Sequence, residues 1–130
     1  MRKLLESAAE AAIQYLEKVE ARKVAPAAEA VDNLDLFREA LPETTAEPET
    51  VLKILNDHGS PATMAMAGPR FFGFVIGGAL PVSLAAYWLA AAWDQNSALY
   101  QVTPATAVLE EVALGWLVDL FKLPRYTGGA

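Results

Sequence analysis

The chain has 130 residues and a mass of 14.0 kDa, which allows one domain of ordinary size with a single core. Hydrophobic residues make up 54% and charged residues 20%, with a mean hydropathy of +0.24, a composition that excludes intrinsic disorder. Ten Lys+Arg against sixteen Asp+Glu give a net charge of −6, and the basic residues are scattered, which argues against a nucleic-acid partner.

The absence of cysteine removes a disulfide scaffold, a thiolate nucleophile and a cysteine-built zinc site, and it fits a reducing, cytoplasmic setting. At the start of the chain Glu6 and Glu10 interrupt the apolar run that a signal peptide would need. Leu5, Ala8, Ala9, Ala12, Ile13, Leu16 and Val19 recur at helical spacing, so residues 2–24 read as an amphipathic helix that Pro26 ends. Residues 26–48 mix prolines, acids and a short helical run around Leu34, Leu36 and Phe37, as a surface connector does. Pro48 suits a first helical position, Val51, Leu52, Ile54 and Leu55 make an apolar face, and Gly59 is the expected terminator.

From Phe71 to Trp93 no residue carries a formal charge, a run that passes the ~20-residue length test for a membrane span. Gly77-Gly78 and Pro81 divide it, because glycine weakens a helix and an internal proline removes a hydrogen bond. A glycine-rich loop followed by a buried helix over residues 82–93 is the better reading. At roughly 18 Å that helix is too short for a ~30 Å hydrocarbon layer. Thr103-Pro104 is a hydroxyl cap followed by proline at the first helical position. Beyond it Val108, Leu109, Val112, Ala113, Trp116, Leu117, Leu120 and Phe121 cover most of a helix, leaving a narrow polar strip at Glu111, Gly115, Asp119 and Lys122, so an almost wholly enclosed helix is expected. Pro124 closes it. The sum is a mainly α chain with more apolar surface than its length can hide, which something else should cover.

Little chemistry is legible from the residues themselves. His58, the single histidine, sits beside Asp57 at a helix end, where it reads as a capping group before it reads as a general base. Neither Ser60 nor Ser83 lies in a nucleophile-elbow motif, and Glu110-Glu111 point about 100° apart on a helix, so they form neither a metal site nor an acid/base pair. Phe74-Val75-Ile76-Gly77-Gly78 has two readings, core packing through Gly73-xxx-Gly77 or an apolar pocket wall. Asp94-Gln95-Asn96 places a carboxylate against the dipole at the end of the apolar helix, a breach of a local rule that functional or partnered sites often carry.

At Gly68-Pro69-Arg70-Phe71-Phe72-Gly73-Phe74, Leu80-Pro81, Ala92-Trp93-Asp94-Gln95-Asn96, Thr103-Pro104-Ala105 and Leu109-Glu110 the sequence resembles the group II pyridoxal-phosphate-dependent decarboxylases, which act on aromatic amino acids, glutamate and histidine. The order and spacing of these pieces agree over residues 41–124. Two departures stand out: Gly68-Pro69 where members of the family commonly have His-Pro, and Thr103-Pro104 where they have Ser-Pro.

The resemblance implies the helical N-terminal segment of a fold-type I, aspartate aminotransferase-like enzyme. Residues 1–48 would wrap onto the second subunit of a homodimer, and residues 49–130 would be the helical first part of the decarboxylase domain. It implies that Phe74, Val75, Ile76 and Gly77 lie against the substrate side chain, and that Asn96 and Ala98 approach the neighbouring subunit's pocket. It further implies a carboxy-lyase of amino-acid metabolism using pyridoxal 5'-phosphate, but none of Lys3, Lys18, Lys23, Lys53 and Lys122 matches the cofactor lysine of the family. The chain alone is therefore expected to bind no cofactor and to be inactive, as the N-terminal part of such an enzyme or, alternatively, as a non-catalytic helical dimerisation module. A membrane-anchored protein is a third reading, and it requires residues 71–93 to cross the bilayer.

Overall fold

A computed structural model describes residues 1–96 and 99–129 of the chain. All regular structure among the described residues is helical, and it falls into two compact units, Met1–Ala79 and Leu80–Ala130. These are boundaries of packing.

The first unit begins with α1, Arg2–Lys18, followed by α2, Ala28–Asp32, which runs into a 3₁₀ segment, Asn33–Arg38. The third helix, α3, is Pro48–Ile54, with Pro48 in the first turn as its fixed φ favours. Two expected endings differ. The first helix stops well before Pro26: its C-cap Val19 is still right-handed (φ −60°, ψ −34°) and is buried with Gly68 close by, and the chain then passes into turns in which the Ala21 and Arg22 amides both bond the Lys18 carbonyl at 3.1 Å. Gly59 does not terminate α3: its φ of −73° is right-handed, and the path continues as a wider π turn, Leu55–Gly59, and a 3₁₀ turn, Ser60–Ala62. The helical path ends at Thr63, whose backbone is extended, and the Ser60 carbonyl accepts both the Thr63 amide (3.2 Å) and its hydroxyl (2.8 Å).

The second unit contains α4, Pro81–Trp93, and α5, Pro104–Leu120, each with its proline in the first turn. No described helix is long and apolar enough to cross a membrane. Enclosure within the chain does not occur: no residue of α4 is buried, and in α5 Val118 alone is. Thr103 holds the expected N-cap position but does not cap. Its hydroxyl donates to the Leu99 carbonyl (3.1 Å), which also receives the Thr103 amide (2.9 Å), and the residue is buried.

The accessible surface is 11092 Å². A compact chain of this mass should expose about 6,700 Å², and two separately folded units of these lengths roughly 8,000 Å². Much of the surplus is apolar, with Tyr87, Trp116, Leu120 and Phe121 among the exposed large side chains of the second unit.

Candidate functional site

The first unit is organised by a polar clasp between the end of α1 and the stretch after α3. Tyr15 projects from the last turns of α1, and its hydroxyl shares a hydrogen bond with the Thr63 hydroxyl (2.9 Å) and donates to the Met64 carbonyl (3.3 Å). Arg22 lies over the Tyr15 ring, 4.6 Å from its centroid, and donates to the Ser60 carbonyl at 2.9 Å and to the carbonyl and hydroxyl of Thr63 at 3.3 Å each. Arg70 reaches back to the carbonyls of Glu20 (2.8 Å) and Arg22, and the Ala65 amide bonds the Val24 carbonyl (3.0 Å). The Arg70 guanidinium thus satisfies carbonyls just past the end of α1 and the Arg22 guanidinium carbonyls past α3, and together they fix where the chain leaves for residues 71–79. Sequence reading missed this cluster. Arg70 was visible in a motif, but partners some fifty positions away leave no periodic signal.

The chain then makes the turn that carries Phe74, Val75, Ile76 and Gly77. The Ile76 amide bonds the Gly73 carbonyl (3.2 Å), and the central residues Phe74 and Val75 have φ of 55° and 56°, the pattern of a type I′ turn. Such a turn ordinarily takes Asn-Gly. A β-branched residue there is an outlier, and left-handed backbone costs roughly 1–2 kcal/mol per residue. A Cβ on Gly73 would meet the Phe71 ring at 3.0 Å, so a larger residue there would push on that ring, which stacks on Phe74 with centroids 6.5 Å apart. Val75 is fully exposed at 105% and Phe74 nearly so at 83%, and nothing lies within 4 Å of a Cβ placed on Gly77. The four residues form one apolar tip presented outward on a strained backbone.

Asn96 lies in the second unit, just beyond α4, and Ala98 falls outside the described residues. Asp94 ends α4 in the left-handed conformation (φ 49°), with its amide bonded to the Ala90 carbonyl (3.2 Å), while the Gln95 side chain donates to the Trp93 carbonyl (2.7 Å). Asp is among the few residues that tolerate this cap, which accounts for a carboxylate at the negative end of a helix dipole. His58 lies in the π turn beside Asp57, and the Lys53 ammonium holds the Asp57 carboxyl below its ordinary value.

A pyridoxal phosphate needs an enclosed lysine whose amine can be kept neutral. Lys3, Lys18, Lys23, Lys53 and Lys122 are all exposed, and Lys53 is paired with Asp57, so the residues present do not fit that group. A shallow cleft of ≈ 210 Å³ between α1 and α3 is lined by Leu4, Ser7, Ala11, Leu52 and Asn56, among others, and offers no such enclosure either.

No family model matches the chain, and no solved structure matches it. It is similar to Tryptophan decarboxylase 1 of Oryza sativa subsp. japonica, at 27% identity over 124 residues, which cover 95% of this chain and 24% of that protein. The chain therefore spans about a quarter of the length of the curated relative it matches, and nearly all of its own length takes part in the likeness.

Proposed function

We propose that this chain is the N-terminal part of a fold-type I, pyridoxal-phosphate-dependent amino-acid decarboxylase, acting as a cytoplasmic homodimer. The observation that carries the reading is the likeness to a decarboxylase over 95% of this chain but 24% of the relative. The large uncovered apolar surface supports it, because α4 and α5 are helices suited to a larger enzyme's interior. Residues 1–48 wrap onto the second subunit, and residues 49–130 open the catalytic domain.

Bound elsewhere in the complete enzyme, the cofactor supplies the electron sink for loss of the α-carboxylate. The residues of this chain shape the substrate's surroundings. Phe74, Val75 and Ile76 offer an apolar wall to the substrate side chain and exclude water from it, and Gly77 lets backbone approach closely. Asn96 and Ala98 border the neighbouring subunit's pocket. The chain alone is inactive.

Two measurements test this. Borohydride reduction of the purified chain soaked in cofactor should leave no stable adduct, and no amino acid should release CO₂; one stoichiometric lysine adduct with CO₂ release overturns the inactivity. Grafting the chain in place of the matching quarter of the rice enzyme should give a dimer that retains cofactor after desalting. A folded chimera that loses its cofactor overturns the decarboxylase reading.

A further inference from the structure

We propose that Arg70 is a positioning residue, which ties the loop of residues 68–77 to the end of α1 and so aims its apolar tip at the substrate side chain. The inference deepens the decarboxylase reading above and rests on it.

The loop is closed at its base. A Cβ built on Gly78 would lie 3.6 Å from the Ala67 carbonyl oxygen, so positions 67 and 78 sit side by side. Gly78 makes the return with a φ of 79°, left-handed backbone that glycine adopts at no steric cost. Residues 68–77 thus have the form of an Ω-loop, a stretch of surface chain whose ends meet. At its entry a Cβ on Gly68 would meet the Ala65 and Val19 carbonyl oxygens at 3.2 and 3.3 Å, so glycine lets the loop start hard against the end of α1.

A closed base does not aim the tip. The bonds within the loop are short-range: the Phe71 amide to the Gly68 carbonyl (3.3 Å), the Ile76 amide to the Gly73 carbonyl, and the Phe71 ring on Phe74. These ties travel with the loop and leave its direction open. Direction comes from the Arg70 side chain, whose Nη2 atom donates to the Glu20 carbonyl (2.8 Å) and also to the Arg22 carbonyl. Those acceptors are themselves held. The Arg22 guanidinium bonds the Ser60 and Thr63 carbonyls and lies over the Tyr15 ring, and the Arg22 amide bonds the Lys18 carbonyl. A charged donor makes a stronger tie than a neutral one, and this one sits next to Phe71, the ring on which Phe74 stacks. Arg70 therefore acts through Phe71 and Phe74. A wall that touches the substrate side chain equally before and during reaction contributes uniform binding, so moving it raises KM and spares kcat.

Because the chain has no cysteine, Glu10→Cys and Val75→Cys, at exposed positions, take spin labels whose separation reports where the tip lies. Labelled chain is diluted into unlabelled chain, and pulsed electron resonance reads the distance distribution; exposed Phe72→Cys serves as a second loop site if Val75→Cys perturbs the turn. Arg70→Ala should broaden the distribution roughly twofold. Arg70→Lys should restore most of the narrowness, since one nitrogen makes both bonds and an ammonium can take its place. The pair Glu10→Cys with Glu49→Cys, which joins α1 to α3, should not change. Broadening of both pairs, or of neither, overturns the positioning role. In the rice chimera Arg70→Ala should raise the half-saturating tryptophan concentration, read from cofactor absorbance, about tenfold with kcat within about threefold. Unchanged half-saturation, or a fall in kcat alone, overturns the link to substrate. A folded chimera that loses its cofactor overturns the decarboxylase reading instead, and the distance measurement still decides whether Arg70 holds the tip.

Discussion

The two units are built on opposite terms. In Met1–Ala79 short helices and irregular chain are tied by directional hydrogen bonds from Tyr15, Arg22 and Arg70 to named carbonyls. In Leu80–Ala130 two long, apolar helices leave most of their side chains in water, and Thr103 and Val118 are its buried residues among those described. Hydrogen bonds carry their own geometry, so the first unit is specified by partners it contains. Apolar burial is non-directional and scales with area removed from water, so the second unit gains little specification from its own contacts.

The sharpest way to break that contrast is to cut the clasp. Arg22→Ala removes donations to Ser60 and Thr63 together with the stacking on Tyr15, and should cost the first unit about 2 kcal/mol, a charged hydrogen bond plus a cation–π contact in a half-exposed setting. Urea melts should show the loss, and limited proteolysis should show earlier cutting within residues 59–70. If Arg22→Ala melts like the parent, the clasp is decoration and the comparison fails.

A gain is expected one turn further on. Val75→Gly relieves a left-handed β-branched residue, worth roughly 1–2 kcal/mol, against the ~0.5–1 kcal/mol entropic cost of glycine, for a net stabilisation of about 0.5–1 kcal/mol. Thermal unfolding checks it. The same change strips the apolar wall from the proposed substrate contact, so stability and activity should move in opposite directions in the chimera.

In the second unit a large deletion should matter little. Trp116 is 72% exposed, and Trp116→Ala should shift the stability of this chain by no more than about 0.5 kcal/mol, where a buried tryptophan would cost about 3–5 kcal/mol. Grafted into the rice enzyme, the same substitution should approach the larger figure. Equal small effects in both settings would mean that the face stays uncovered in the enzyme.

Legibility in the sequence follows the same division. The prolines at 48, 81 and 104 announced three helix starts, because a fixed φ and a missing N–H act locally. The uncharged run split at Gly78 and Pro81 for equally local reasons. The end of α1 was hidden, since Val19 and Arg22 respond to Gly68 and Ser60, far along the chain. Phe74-Val75 gave no turn signal, as neither residue favours positive φ, so the tip's shape could not be read although its residues were. Residue type alone points the Thr103 hydroxyl to a cap, whereas in the structure it turns back to the Leu99 carbonyl.

The smallest expected effect concerns pH and belongs to the first unit. The Lys53 ammonium, hydrogen-bonded to Asp57, holds that carboxyl below the ordinary value of 3.8, with Asn56 and His58 adding to the lowering against a partial offset from desolvation. A carboxylate whose value falls on folding binds its proton less readily when native. The contribution to stability is therefore present above the unfolded value and is lost as pH falls through the lower, folded one, a window below about pH 4. The pair is exposed and screened, so the slope is shallow and salt flattens it. Asp57→Asn should leave the melting temperature near neutral pH almost unchanged and remove part of its decline in acid, whereas Trp116→Ala should leave the acid limb untouched. If Asp57→Asn instead lowers stability uniformly from pH 3 to pH 7, the carboxylate holds the π turn through its shape, and the first unit's polar ties count for less than its packing.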